Sequence, residues 1–335
     1  MQDDVRGADL DRRIAAALQL NGRASWGAIA RHVGTSESTV LRRVGQLTES
    51  GQVRVIGVLD VLRCGLGVPV VVRFRCAPGT AGEVARAIAA RPDTRYASVL
   101  AGSADCVAEF VLPSYQDVAR LDELPGAKGL TESESFTVMR TFISNHDWDS
   151  GELERTATAE LRGADARPFE EQHWESPPEK LDELDLAISA ALGEDGRMSF
   201  KEVSRQVGSS ETTVARRVDS LVRRGCLRFR TLAELALFGY ALEFMLWLSV
   251  LPSELDNAGQ RLASHPGTKY LSATTGRFNL VGQIVLRHYG ELYRHTTDVV
   301  GALPGLRDAE VTLQVDTLKR AWVPTPAARQ ELEDA

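Results

Sequence analysis

The chain contains 335 residues and carries a net charge of −7 at neutral pH. This length fits two to four compact domains, each large enough to bury a core of its own. The composition, 43% hydrophobic and 25% charged, is typical of a globular protein, and no apolar stretch approaches the roughly 20 residues of a membrane span. The first residues, MQDDVRGADLDRR, lack the basic and apolar regions of a secretory signal. We therefore expect a cytoplasmic protein without a membrane partner.

Two local clusters of positive charge interrupt this acidic chain. Eight arginines accompany four acidic residues between positions 10 and 63, and nine basic residues accompany six acidic ones between positions 184 and 230. Such focused charge is typical of contact with DNA phosphates, although a plain solvated surface would show the same composition.

An internal repeat organises the whole sequence. When Leu10 is aligned with Leu184, LDRRIAAALQLNGRASWGAIARHVG lies over LDLAISAALGEDGRMSFKEVSRQVG, and the same offset of 174 residues later aligns Tyr96 with Tyr270. An offset of this size far exceeds the repeat length of solenoid proteins. It therefore predicts a duplicated two-domain unit.

Each copy begins with residues that recur at helical spacing. Leu10, Ile14 and Leu18 predict a first helix, and Ile29 and Val33 predict a shorter second helix.

A third helix follows a break at Gly34, with Ser36 as its N-cap and Gly51 after its end. Its core positions are Val40, Val44 and Leu47. Three short helices with a glycine in the second turn are typical of a helix-turn-helix domain. A generic three-helix bundle would show the same spacing, but the basic face and its duplication favour the helix-turn-helix.

The period then changes to that of strands. GVPVVVRFRCAP, TRYASVLAG, CVAEFVLP and ESFTVMRTF predict strands, and ARAIAARPD and SYQDVARLDEL predict helices between them. The second copy repeats this order, βαββαβ, which is that of the ferredoxin-like sandwich. Because such a sheet has one face without helices, we expect the two sheets to pack on each other, within one chain or between chains.

The predicted fold class is α+β, with two winged helix-turn-helix domains alternating with two ferredoxin-like βαββαβ sensor domains. The helix-turn-helix domains are predicted over residues 8–62 and 181–236, and the sensor domains over residues 66–143 and 240–322. An acidic linker, residues 144–180, is expected to act as a spacer, and residues 323–335 form a C-terminal tail.

The chain resembles the Lrp/AsnC family of transcription regulators over nearly its whole length, in two tandem copies. GTSESTVLRRVGQLTESG and GSSETTVARRVDSLVRRG carry the likeness in the reading helices, and ARPDTRYASVLAGSAD and SHPGTKYLSATTGRFN carry it in the sensor domains, also called RAM domains. The resemblance implies double-stranded DNA as a partner, homodimers or larger homo-oligomers, and an amino acid or similar effector near the G-x-x-D turn. The effector-binding residues it implies are Gly102, Ser103, Asp105, Gly276, Arg277 and Asn279.

The second copy departs from the family at this turn, because Asn279 stands where the first copy has Asp105. A carboxylate can hold an ammonium group by charge, whereas an amide offers only neutral hydrogen bonds. Thr35 and Ser209 also replace the apolar residue that usually follows the glycine before the reading helix.

The candidate DNA-binding residues lie on the outer face of the third helix of each copy, where a recognition helix enters the major groove. We predict base contacts for Ser38, Thr39 and Arg42 and for Thr212, Thr213 and Arg216. Arg43 and Arg217, on the flank, are predicted to bind phosphates. The remaining candidates are Ser36, Gln46, Ser210 and Arg223.

Neither a metal site nor a cofactor is predicted. The four cysteines are scattered without Cys-x-x-Cys spacing, His288 and His295 lie two helical turns apart, and no GxSxG, P-loop or Rossmann motif occurs. Siroheme decarboxylases are the main alternative, because they resemble this chain in architecture and occur as fused duplicates. Their sensor turns contain histidine, whereas the turns here read AGSADCV and TGRFNLV. We therefore expect a regulator without catalytic residues; a sensor that has lost DNA binding is a third possibility.

Overall fold

The computed structural model describes residues 2–114, 116–119, 128–163 and 177–333. The first copy contains, in chain order, α1 (Gln2–Leu20), α2 (Trp26–Val33), α3 (Glu37–Glu49), β1 (Val53–Leu59), β2 (Val68–Cys76), α4 (Ala81–Ala90), β3 (Thr94–Ala101), β4 (Cys106–Leu112) and β5 (Leu130–Ile143). Most of the helix predicted from SYQDVARLDEL, and residues 164–176 of the predicted linker, lie outside the described residues.

After α5 (Arg155–Arg162), the second copy repeats the same order of elements. It contains α6 (Glu183–Glu194), α7 (Phe200–Val207), α8 (Glu211–Arg223), β6 (Leu227–Ala233), β7 (Leu242–Val250), α9 (Leu255–Ala263), β8 (Thr268–Thr274), β9 (Leu280–Leu286), α10 (Gly290–Arg294), a π-helical turn (His295–Val300), β10 (Leu306–Arg320), β11 (Val323–Pro324) and α11 (Pro326–Glu333). No helix in the described part of the chain is long and apolar enough to cross a membrane.

The elements form two compact units, each of which combines corresponding parts of both copies. The helical unit consists of Met1–Gly65 and Asp149–Gly239, and the sheet unit consists of Leu66–Trp148 and Tyr240–Ala335. The two helix-turn-helix domains therefore lie together in one unit, and the two sensor domains lie together in the other.

In the helical unit, each copy forms the predicted three-helix domain. The core positions predicted for α3 are all buried: Val40, Val44 and Leu47. Gly34 and Gly208 end α2 and α7 with φ angles of 72° and 67°. These angles lie in the left-handed region that favours glycine, and they turn the chain directly into α3 and α8.

A shared wing joins the two copies of the helical unit. Strands β1 and β6 pair antiparallel, from Val53 opposite Ala233 to Leu59 opposite Leu227, as a two-stranded sheet. Each copy therefore contributes one strand of a wing that its counterpart completes.

The segment predicted to be a linker contains helix α5, whose Ala157 and Leu161 are buried. Asn21 Nδ2 donates to the carbonyl oxygen of Leu161 at 3.1 Å, and α5 contacts α1 and α2. This part of the segment therefore packs on the first three-helix domain rather than serving only as a spacer.

In the sheet unit, the two sensor domains form one closed ring of strands. The order is β11-β10-β3-β4-β2-β5-β8-β9-β7, and β10 also pairs with β7. Strand β5 pairs with β2 through its first half and with β8 of the other copy through its second half. Strand β10 does the same with β7 and β3.

Inside the ring lies a core to which both copies contribute. Val71, Val107 and Phe136 come from the first copy, and Trp247 and Val281 come from the second. The outer face of each sheet packs on helices in a separate core. The prediction that the helix-free faces pack on each other is confirmed, with both partners in one chain.

Candidate DNA-reading surface and sensor cavity

The reading helices α3 and α8 begin in the same way. Ser36 Oγ accepts a hydrogen bond from the backbone N–H of Thr39 at 3.2 Å, and Ser210 Oγ accepts one from that of Thr213 at 3.1 Å. In both copies the threonine Oγ1 also lies 2.8 Å from the serine Oγ. The N-cap that the sequence predicts is therefore formed, and it orders the first turn of the helix, which in helix-turn-helix domains is the part nearest to the bases.

The outer face of each reading helix is exposed, as the helical period predicts. The exposed candidates are Ser36, Ser38, Arg42, Gln46, Ser210, Thr212, Arg216 and Arg223, whereas Thr39 and Thr213 are half-buried. Arg42 Nη1 donates to Gln46 Oε1 at 3.3 Å along the same face. Contact of these side chains with DNA stays a prediction.

Arg43 and Arg217, which are predicted to bind phosphates, each form ion pairs with aspartates of their own domain, and their contact with phosphates stays a prediction. Arg43 Nη1 lies 3.1 Å from Asp11 Oδ2, and Arg217 Nη1 lies 2.8 Å from Asp182 Oδ2 and 3.2 Å from Asp185 Oδ1. Burial raises the pKa of Asp11, and the Arg43 guanidinium only partly offsets this. Arg43 thus ties α3 to the middle of α1, and Arg217 ties α8 to the beginning of α6.

Arg223 is also paired, but in a different setting. Its Nη2 lies 2.8 Å from Asp219 Oδ2 one helical turn earlier, and both side chains are largely exposed. An exposed pair of this kind contributes little to stability. It does, however, neutralise the extra charge that the sequence places near the end of α8.

Two equivalent arginines connect the domains of the helical unit. Arg23 Nη1 donates to the carbonyl oxygen of Gly196 at 2.8 Å, and Arg197 Nη1 donates to that of Gly22 at 2.6 Å. The Arg197 guanidinium also lies 3.6 Å from the centroid of the Trp26 ring. Burial, together with the nearby Arg23, lowers the pKa of Arg197 to about 10. These contacts were not predicted, because they depend on how the two copies pair.

In the sensor domains, the acidic position of the turn has a structural partner. Asp105 Oδ2 accepts a hydrogen bond from the backbone N–H of Cys76 at 2.8 Å, and Asn279 Oδ1 accepts one from that of Val250, also at 2.8 Å. Cys76 and Val250 are equivalent positions of the repeat. The carboxylate and the amide therefore both hold the turn against the end of β2 or β7, and the Asn279 amide also donates from Nδ2 to the carbonyl oxygen of Val250 at 2.8 Å.

A cavity of about 270 Å³ lies beside this turn in the sheet unit. It is lined by Arg73, Phe74, Arg75, Ser103, Ala104, Glu132, Ser133, Glu134, Arg277 and Glu310. Of the six predicted effector-binding residues, Ser103 and Arg277 line the cavity. The others, Gly102, Asp105, Gly276 and Asn279, do not. The lining combines three guanidinium groups with three carboxylates.

Arg73 is the central residue of this cavity, and the sequence analysis missed it. Its Nη2 lies 2.6 Å from Glu134 Oε2 and its Nη1 lies 2.8 Å from Glu310 Oε2. The guanidinium also lies 5.3 Å from the Trp247 ring and 4.8 Å from the Phe278 ring. One signal was present: Arg73 and Arg75 are charged residues at alternate positions of a strand whose first five residues are all apolar.

Glu310 connects the two sensor turns. Ser103 Oγ donates to Glu310 Oε2 at 2.5 Å, and Arg277 Nη2 lies 3.3 Å from Glu310 Oε1. Burial acts to raise the pKa of Glu310, but the contacts with Ser103, Arg73 and Arg277 outweigh it and lower the pKa below its usual value. Glu310 is therefore ionised at neutral pH. The described residues contain no cluster of histidine, cysteine and carboxylate side chains that could hold a metal ion.

The fold and these two surfaces define a class of protein: a helix-turn-helix protein with a pair of α/β domains joined in one sheet. The AsnC-type helix-turn-helix domain model matches residues 9–48 and 181–222, and the Lrp/AsnC ligand-binding domain model matches residues 69–148. The chain belongs to the Lrp/AsnC family of transcriptional regulators. The resemblance in the sequence is thereby confirmed.

Relatives in this family match one copy of the repeat. An uncharacterised HTH-type transcriptional regulator of Pyrococcus abyssi is 32% identical over 141 residues, which are 42% of this chain and 89% of the relative. One of Pyrococcus horikoshii is 30% identical over the same shares. Among solved structures, the siroheme decarboxylase NirDL matches 97% of both chains with a TM-score of 0.62 at 15% identity, which shows a shared fold.

Proposed function

We propose that the protein is a sequence-specific regulator of transcription that binds double-stranded DNA through α3 and α8. We also propose that a small-molecule effector at the sheet unit changes its affinity for DNA. The observation that carries the first proposal is the pair of reading helices within one helical unit, with matching N-caps and exposed polar faces. Each face presents one arginine at the same position, Arg42 or Arg216, and arginine is the residue most suited to bidentate contact with guanine.

Paired readers in one chain predict a DNA site with two related halves. In a homodimer, identical helices require a palindrome. Here the faces match at Thr39 and Thr213 but differ at Gln46, which aligns with Ser220. We therefore expect half-sites that share a core and diverge at the flanks.

The test begins with selection of bound duplexes from a random pool by the full-length protein. The selected site is then used in mobility-shift titrations with Arg42→Ala and Arg216→Ala. Arg261→Ala, which removes an exposed arginine from α9 in the sheet unit, serves as the matched control. Specific binding that both reading-helix variants weaken and the control leaves unchanged supports the proposal. Equal binding by all four proteins would overturn it.

The effector part of the proposal is supported by the charged cavity beside the sensor turns. It is smaller than the roughly 300–1,000 Å³ typical of sites for drug-sized ligands, so it suits a small metabolite. We also propose that the full chain self-associates into homodimers or larger assemblies, as the family resemblance implies. Light scattering at micromolar concentration tests this, and a monomer would contradict it.

Decarboxylation of siroheme is the second candidate, favoured by the shared fold of NirDL along the whole chain. Against it, none of the described residues that line the cavity is a histidine, and its volume is small for a tetrapyrrole. We therefore propose a regulator and not an enzyme. Incubation of the purified protein with siroheme, followed by chromatography of the tetrapyrrole, decides the matter, because a decarboxylated product would establish the alternative.

A further inference from the structure

The two copies of the sheet unit differ at several aligned positions where they meet around the cavity. The repeat aligns Arg73 with Trp247 and Phe136 with Glu310. In the structure, Arg73 contacts Glu310 at 2.8 Å, and Trp247 contacts Phe136 with ring centroids 5.4 Å apart. One ion pair and one aromatic pair therefore occupy equivalent places.

The position of the aromatic pair is filled by buried side chains. Phe136, Trp247 and Phe278 are each 0% exposed. Phe278 stands where the first copy has Ala104, so a phenyl ring fills space that a methyl group leaves open. The Trp247 indole N–H donates to Thr312 Oγ1 at 3.0 Å, which fixes the ring in place.

The position of the ion pair between Arg73 and Glu310, by contrast, adjoins the cavity and is lined by charged side chains. Arg73 is held tightly by Glu134 and Glu310. Among the described residues, the ion-pair contacts given for the other two guanidinium groups of the lining are longer. Arg75 Nε lies 3.8 Å from Glu132, and Arg277 Nη2 lies 3.3 Å from both Asp308 and Glu310. The Arg75 and Arg277 side chains are 57% and 60% exposed. A ligand carboxylate could therefore form shorter charge-assisted hydrogen bonds with them.

The carboxylates of the cavity lining favour a ligand that also carries a positively charged group. Glu132 and Glu134 lie on β5 at the cavity wall, and the Glu132 side chain is 75% exposed. Either can accept hydrogen bonds from an ammonium group. Because the three guanidinium groups balance the three carboxylates, a ligand with one charge would leave one group of the lining uncompensated. A small zwitterion satisfies both halves.

We propose that the sheet unit binds one small zwitterion per chain, in the cavity lined by Arg73, Ser103, Arg277 and Glu310, and that the equivalent place is closed by Phe136, Trp247 and Phe278. This inference rests on the proposed effector function, which it narrows to a single site built by both copies. A symmetric pair of sensor domains would instead offer two equal sites.

The experiment is calorimetric titration of the full-length protein with each standard L-amino acid alone, and with acetate and methylamine as ligands of one charge. We expect at least one amino acid to bind with a stoichiometry of one per chain and at least about tenfold more tightly than acetate or methylamine. Arg277→Gln should weaken that binding at least about tenfold. Arg261→Gln, which removes the same charge from α9 outside the cavity, should leave it unchanged.

Several outcomes would overturn the inference: two ligands per chain, no binding by any standard amino acid, equal binding of acetate or methylamine, or binding that Arg277→Gln does not weaken. A mobility-shift assay on the selected DNA site, run in parallel, separates the two proposals. A protein that binds DNA but no zwitterion contradicts this inference alone, and one that binds a zwitterion but no DNA contradicts the proposed function.

Discussion

Arg23 and Arg197 occupy equivalent positions in the two copies, and each donates hydrogen bonds to the backbone beside the other. We call this pair of contacts the arginine clasp. Arg23 donates to the carbonyl oxygens of Gly196 and Met198, at 2.8 and 3.3 Å. Arg197 donates to those of Gly22 and Ala24, at 2.6 and 2.9 Å. Each arginine thus binds the residues on either side of the other, so the contact is reciprocal and can form only when the two copies pair.

This clasp should stabilise the helical unit. Arg197→Met removes two charge-assisted hydrogen bonds and the contact with the Trp26 ring, and we expect it to lower the free energy of unfolding by about 2 kcal/mol. Urea unfolding followed by far-ultraviolet circular dichroism measures the change. Arg205→Met, which replaces an exposed arginine on α7, is the matched control, and a loss no larger than that of the control would contradict the role of the clasp.

The reading helices should each specify one half-site. Arg42→Ala is expected to cost about 1–3 kcal/mol of DNA-binding free energy and to relax one base position in one half of the site, because a bidentate contact is lost there. Arg216→Ala should do the same in the other half. Footprinting with single-base variants of the selected site checks both, and relaxation of the same position by both variants would contradict the assignment.

The ion pair between Asp219 and Arg223 predicts an effect on salt dependence. Asp219→Ala should free the exposed Arg223 guanidinium for a phosphate, so DNA binding should strengthen at low salt. The slope of log affinity against log salt should steepen by about 0.9. Asp298→Ala removes an exposed carboxylate from the sheet unit and is the control. An unchanged slope in the Asp219 variant would place Arg223 away from the DNA backbone.

The sequence predicts well whatever depends on neighbours within one element. Helical spacing identified Val40 and Val44 as buried, and Ser36 as an N-cap, because one helix determines both. Arg42 and Arg43 show where this reasoning ends. Both look exposed from the pattern of α3, and only the fold brings Asp11 within 3.1 Å of Arg43.

The same limit applies to the sensor cavity. The turn residues Ser103 and Arg277 were predicted from the resemblance, but Glu310 reaches them because β10 pairs with strands of both copies. The pairing of one strand with strands of both copies leaves no local pattern in the sequence. Equally, the sequence of the turn does not indicate that Asp105 Oδ2 accepts a hydrogen bond from the Cys76 N–H, because that contact depends on the pairing of β2 with β4.

Asp105 therefore offers a direct test of the turn. Because Asn279 makes the equivalent hydrogen bond as an amide, Asp105→Asn should fold normally, change the free energy of unfolding by less than about 1 kcal/mol and leave zwitterion affinity within about twofold. Asp105→Ala, which leaves the Cys76 N–H without its acceptor, should be less stable by about 1–3 kcal/mol. Loss of ligand binding in a stable Asp105→Asn variant would restore the carboxylate as a binding group.

The buried His295 predicts how stability depends on pH. Its side chain is 4% exposed, its ring centroid lies 4.9 Å from that of His265, and neither ring nitrogen has a hydrogen-bond partner among the described residues. Burial, together with the neighbouring His265, lowers the pKa of His295 to about 4. An unfolded histidine has a pKa of about 6.5, so between these two values the unfolded state binds more protons and stability falls as the pH falls. The native protein should therefore lose about 2 kcal/mol more than His295→Leu between about pH 8 and pH 5, measured by urea unfolding. His288→Leu replaces an exposed histidine paired with Glu291 and should keep the native pH dependence; a His295→Leu variant that also keeps it would show that His295 is not the responsible group.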